Sequence, residues 1–224
     1  MSEFRRLFLL AVTSGSLAGL LWFGVQYFAV VPLIEEAEQH EATGHEHHEE
    51  GWRPEDGWQR NSFTAVSSVL AGIGFAAVLF SAVSLTGQCL DVRRGALWGL
   101  AGFASVSLSP ALGLPPRPPG VAAADLFDRQ LWWAATVAAT AIGLFLIART
   151  RAWLPKLAGL ACLVLPHAVG APATTGEMLL ASLATQFAVA SVTTSAVFWL
   201  ALGIIGGFLN ARYARPSAEP ASTL

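Results

Sequence analysis

Six stretches of the chain carry no Asp, Glu, Lys or Arg: Leu7–Ile34, Asn61–Leu90, Gly95–Pro116, Gln130–Ala148, Leu157–Gly176 and Met178–Ala211. A helix that crosses a bilayer needs roughly 20 apolar residues, and each stretch is near or above that length. A helix on the surface of a soluble bundle would carry a charged outer face, and none of these does. The pattern predicts an all-α fold, a polytopic transmembrane helical bundle over residues 1–211. Its six spans should lie at about 7–32, 62–87, 95–114, 131–149, 156–171 and 180–209. The tail, 212–224, is short and polar and is expected to be disordered. Arg5 and Arg6 followed by an apolar run resemble a signal peptide, but the run to Ile34 outlasts the ~7–15 residues of an h-region. It reads as a retained first span.

Composition agrees: 54% of residues are hydrophobic and 12% are charged, about half the ~25% of a soluble domain. Charge then sets an expected orientation. With six spans and the N-terminus inside, Arg5, Arg6, Arg93, Arg94, Arg149, Arg151, Lys156, Arg212 and Arg215 lie on the inner side. Only Arg53, Arg60, Arg117 and Arg129 lie outside, the asymmetry expected when cations stay cytoplasmic. Omitting the weakest span, around 157–172, moves Arg212 and Arg215 outside and nearly erases the bias. Both termini are therefore expected in the cytoplasm. Residues 35–60 form an outer loop with nine acids against two arginines.

That loop holds the chemical signal. His40, His45, His47 and His48 are four of the chain's five histidines, interleaved with Glu46, Glu49 and Glu50. Neutral imidazole suits Co²⁺, Ni²⁺, Cu²⁺ and Zn²⁺, and carboxylates add oxygen ligands and negative potential. A thiolate-free loop favours quick capture and release over tight structural binding, and acid should weaken it because protons compete for the same ligands. A solvated acidic loop with incidental histidines is the bland alternative. His167, in "LPHAVGAP", is the one imidazole within a span. It is either a membrane-depth functional group or a side chain bonded to a carbonyl freed by Pro166 or Pro172. Pro110 and Pro166 should break their helices near the outer ends, which either exposes carbonyls along an ion path or merely kinks the helices.

Trp52, Trp58, Trp132 and Trp133 outside and Trp98 and Trp153 inside fit an interfacial aromatic belt. Asp125, Asp128 and Arg129 could anchor the fourth span by an ion pair. Cys89 and Cys162 form no CxxC-type motif and read as inert. No P-loop, HExxH or GxSxG occurs, so neither an ATPase nor another enzyme has positive support. No Asp or Glu sits mid-span, which argues against a carboxylate proton relay. At ~100 mV a divalent cation gains about 4.6 kcal/mol on moving inward, enough for passive accumulation.

Several stretches resemble the CbtA family, bacterial membrane proteins proposed to be cobalt-transporter subunits: "PLIEEAE", "WRPEDGWQR", "GLAGFASVSLSPALGLPPRPPG", "AAADLFDRQLWW" and "LPHAVGAP". The resemblance runs over most of the chain. It carries over Glu38, Trp52, Pro54, Asp56, Gly57 and Arg60, then Asp125, Arg129, Gln130, Trp132 and Trp133, then Pro166, His167, Gly170 and Pro172. It implies import of cobalt for cobalamin biosynthesis in the bacterial inner membrane, beside a small membrane subunit with a histidine motif. The family is usually described with five spans, where the cation count here favours six.

The resulting expectation is a divalent-cation permease component without a prosthetic group. Cobalt is the favoured substrate, and nickel or zinc stays open. Metal would be collected by His40, His45, His47, His48, Glu46, Glu49 and Glu50 and received by His167. The expected partners are the lipid bilayer, further copies of the chain and the small histidine-motif subunit, with no nucleic acid. The rivals are a scaffold for a partner channel and a lipid- or isoprenoid-directed membrane enzyme.

Overall fold

The computed structural model describes residues 3–42, 54–173 and 181–213, and among them every regular element is helical. The helices are α1 (Glu3–Ala29), α2 (Val31–Ala42), α3 (Trp58–Leu85), α4 (Val92–Phe103), a π-turn (Ala104–Leu108) continuing into α5 (Ser109–Gly113), α6 (Leu126–Arg149), α7 (Trp153–Val169) and α8 (Ala181–Tyr213). The all-α bundle is as expected. Most helices begin several residues before the uncharged runs, and at two of them a capping side chain marks the start. Asp91 caps α4 by accepting from Arg94 N, and Asp125 caps α6 by accepting from Phe127 N and Asp128 N. Gly57 precedes α3 at φ +84°, a conformation that disfavours any side chain.

Two elements depart from the sequence reading. The outer segment 35–60 is not all loop, since its first part belongs to α2. "EEAEQHEA" consists mostly of good helix formers, and Pro32 falls in the first turn, where its missing N–H is tolerated. The third span is also not uniform: the chain widens into the π-turn just before Pro110, where Ser109 N donates to Ala104 O. Such turns inside helices recur at functional positions.

Among the described residues, five helices are long and apolar enough to cross a membrane: α1, α3, the composite Val92–Gly113, α6 and α8. The sixth predicted span, α7, has 17 residues. At 1.5 Å per residue it reaches about 26 Å, the short end of what a bilayer core of about 30 Å needs. Direction nonetheless requires it to return the chain. Gly95 faces Gly203 while Gly99 faces Trp199, so α4 and α8 run antiparallel. Ser109 meets Thr140 and Gly113 meets Trp132, so α6 opposes α4 and α5. Gly143 lies on Gly159, so α7 opposes α6. Six rods alternate in direction.

Close backbone approach holds the rods together. Transmembrane helices gain little from the hydrophobic effect in lipid and pack instead through small residues. Gly15 and Gly19 of α1 lie on Gly72 and Ser68 of α3, and Gly95 and Gly99 of α4 on the Trp199–Gly207 stretch of α8. Gly143 and Gly159 join α6 to α7. A buried cluster including Leu10, Ala18, Phe80, Phe198, Trp199 and Leu202 fills the centre of α1, α3, α4 and α8. At one end of the bundle, Arg6 donates to Asn210 Oδ1, while Asn210 Nδ2 donates to Leu90 O at 2.8 Å. The start of α1, the α3–α4 turn and the end of α8 thus share one face. The opposite face carries α2, the 114–125 connection and the end of α7.

Candidate functional site

α2 is fixed at that opposite face. Ala37 is buried, and Arg60 grips Glu38 through both oxygens, at 2.8 and 3.0 Å, while also reaching Asp56 at 3.2 Å. A planar guanidinium suits this fork. His40 lies on the exposed part of α2, and its Nδ1 donates to Glu36 O at 2.7 Å, which puts the ring's lone pair on Nε2. His45, Glu46, His47, His48, Glu49 and Glu50 lie outside the described residues. Among the described residues, no three His, Cys, Asp or Glu side chains converge as a metal would require.

His167 is the second predicted group. It is half-buried in α7 and joins a chain of hydroxyls rather than a freed carbonyl. Thr140 Oγ1 donates to Ser109 Oγ at 2.9 Å, and Ser109 Oγ lies 3.2 Å from His167 Nε2. Ser109 Oγ, with two lone pairs and one proton, accepts from Thr140 and still has both a lone pair and a proton to share with Nε2. Trp132 closes the group: its ring meets His167 edge-on at 5.9 Å, and its Nε1 donates to Pro166 O at 3.3 Å. That carbonyl also accepts from Gly170 N, while the carbonyl that Pro166 deprives of its helical donor is Cys162 O, four residues earlier. Pro110 O likewise accepts from Leu114 N. One turn from Thr140, the fully buried Thr136 has an Oγ1 without a partner.

A second polar chain starts from the π-turn. Ser107 and Ser195 hydroxyls lie 2.6 Å apart, and Trp199 Nε1 donates to Ser107 Oγ at 3.2 Å. Ser107 of the π-turn ties the central helices to α8, and the adjoining Ser109 ties them to α6 and α7. Sequence reasoning missed Ser107, Ser109, Thr140, Ser195 and Trp199, because it looked for charge within spans. The readable signal was Ser at every second position from Ser105 to Ser109, immediately before a proline.

Several residues that carry the resemblance prove to be joints of the scaffold. Glu38, Asp56 and Arg60 form one ion-pair cluster, and Gly57 starts α3. Asp125 caps α6 instead of pairing with Arg129, whose Nε is buried without a partner. Gly170 ends α7 at φ +90°. Trp132 sits in the His167 group and Trp98 against the central cluster, so neither is a simple belt residue. Trp58 and Trp153 are exposed as such a belt requires, and Trp52 lies outside the described residues.

Chemically, the His167 group offers one imidazole nitrogen and two neutral hydroxyls in an otherwise apolar setting. That set is too weak for a resident structural metal and suits brief contact with a passing cation or water. Neither curated proteins nor solved structures give a match to the chain. The family described as probable cobalt transporter subunit (CbtA) matches residues 4–211. That match covers all six rods and both polar chains, and the chain belongs to this family of membrane transporter subunits.

Proposed function

We propose that the chain is the permease component through which a divalent transition-metal cation, cobalt first, enters the cell for cobalamin synthesis. The observation that carries this reading is the family match across 4–211, joined to the histidine and glutamate cluster at 40–50. In this reading the cluster lies on the outer side of the bacterial inner membrane, with both termini cytoplasmic. The inner cations gather at the face where α1 starts and α8 ends, which supports that orientation. His40, His45, His47, His48, Glu46, Glu49 and Glu50 collect the ion, and α2 with its Arg60 clamp fixes the root of the collecting segment. His167, with Ser109 and Thr140, receives it within the bundle. A small membrane subunit with a histidine motif is the proposed partner.

Deletion of 43–50 tests this. Cobalt uptake should fall severalfold when the metal is scarce and return to wild type when it is abundant, because capture matters only when ions are rare. Equal loss at every concentration would overturn the capture role. Uptake that needs the chain but is unchanged by loss of 43–50 and by His167→Ala would assign the chain a scaffold role instead.

A further inference from the structure

Between Arg129 and Gly176 the chain carries no Asp or Glu, yet Arg149, Arg151 and Lys156 cluster there. Arg149 ends α6, Arg151 lies in the turn that follows, and Lys156 stands in the first turn of α7. All three are exposed, and among the described residues none of their side chains has an ion-pair or hydrogen-bond partner. Because α6 runs against α4 and α5, this turn lies on the face that carries the start of α1 and the end of α8. Other cations of that face are engaged: Arg6 donates to Asn210, Arg94 to Cys89 O at 2.9 Å, and Arg212 lies over the Phe208 ring.

Local structure holds the three cations together. Thr150 is extended, and its Oγ1 accepts from Ala152 N at 3.2 Å, which tightens the turn. α7 then starts with neither an acidic residue in its first turn nor a side-chain cap. Arg151 and Lys156 therefore crowd the positive end of a helix, where like charge is repelled. The same turn exposes Trp153 and Leu154. An indole at the end of a span sits at headgroup level, so the cations have an apolar edge beside them. A free anion would satisfy the charge and leave that edge unused; an anionic lipid satisfies both.

Length points the same way. The 17 residues of α7 reach about 26 Å against a hydrocarbon core of about 30 Å. A short span is accommodated by thinning of the bilayer and by flanking cations that reach back to the headgroups. Helical side chains tilt toward the N-terminus, which aims the long Lys156 stem at the phosphate level. We propose that the α6–α7 turn is a docking site for an anionic lipid, with Arg149, Arg151 and Lys156 around its phosphate and Trp153 and Leu154 along its upper acyl carbons. The lipid fixes the depth of α7, and with it the seat of His167 beside Ser109 near the helix's other end.

Native mass spectrometry tests this on the full chain, purified in mild detergent with phosphatidylglycerol and phosphatidylcholine of equal chain length. Wild type should retain phosphatidylglycerol preferentially. Arg151→Gln with Lys156→Gln should lower that preference about fivefold or more, the effect of one such cation near an anionic surface. Arg94→Gln with Arg212→Gln removes the same charge from the same face and should leave it unchanged. Arg151→Lys with Lys156→Arg keeps both charges and should keep the preference. Lys156→Gln alone serves, with a smaller drop, if the double variant fails to fold. Phosphatidylglycerol should also raise the thermal unfolding midpoint of wild type more than that of the Arg151→Gln, Lys156→Gln variant. Equal retention of the two lipids by wild type overturns the site, as does an equal drop in both charge-removing pairs, which marks general surface charge. Displacement of the lipid by inorganic phosphate makes this a free-anion site and overturns lipid docking. None of these readouts requires transport, so the import reading stands or falls separately.

Discussion

Thr136 and Thr140 sit one turn apart on the same buried face of α6, with opposite hydrogen-bonding fates. Thr140 feeds Ser109 and, through it, His167, whereas Thr136 has no partner. Thr136→Val should therefore raise stability by about 1 kcal/mol, because it removes an unmatched hydroxyl at constant shape. Ser109→Ala should cost about 1–3 kcal/mol, since it strands both Thr140 Oγ1 and His167 Nε2. Replacing the whole group, Ser109→Ala with Thr140→Val and His167→Leu, should cost less than Ser109→Ala alone while abolishing cobalt uptake. Thermal unfolding in detergent, beside uptake, separates the two roles; a triple variant less stable than the single one would contradict this account. None of this ordering was legible in the sequence. Hydroxyls are cheap enough in a span to leave no compositional trace, and which of them pair depends on the register that the π-turn sets.

Helices were legible to the extent that hydropathy fixes them. The uncharged runs located all six rods. Of the two prolines expected to break a helix, Pro110 follows the π-turn, whereas α7 runs on through Pro166 to Val169; that Pro32 opens a separate helix was not legible. Glycine contacts were also hidden, because any helix in so glycine-rich a chain offers several small faces. The structure separates them. A methyl group on Gly203 would collide with the backbone of Gly95, whereas one on Gly74 meets nothing within 4 Å. Gly203→Ala should destabilise the α4–α8 pair enough to lower the amount of protein in the membrane several-fold, as read by immunoblot, and Gly74→Ala should leave it unchanged. At the opposite face, Glu38→Ala removes a half-exposed ion pair and should cost under about 1 kcal/mol. Its larger effect should fall on uptake of scarce cobalt, because α2 then loses its tether to α3.

For the molecule as a whole, the all-α membrane class and the family were readable from sequence. The cation count also pointed to an even number of rods, and α1 and α4 do pack antiparallel to α8. The arrangement was not readable: α1, α3, α4 and α8 share the central cluster, while the α6–α7 hairpin attaches largely through the π-turn and α5. Orientation has its own test. Cys89, exposed in the turn between α3 and α4, should react with an impermeant thiol reagent only after the membrane is breached. Thr43→Cys should react in intact spheroplasts, and the reverse pattern would put the histidines in the cytosol. The most direct test of the central claim is cobalt accumulation, by mass spectrometry, in cells with and without this chain, at ordinary membrane potential and after its collapse. The account predicts more cobalt in cells that hold the chain, with the excess vanishing when the potential is removed. Equal cobalt in both kinds of cell would contradict it.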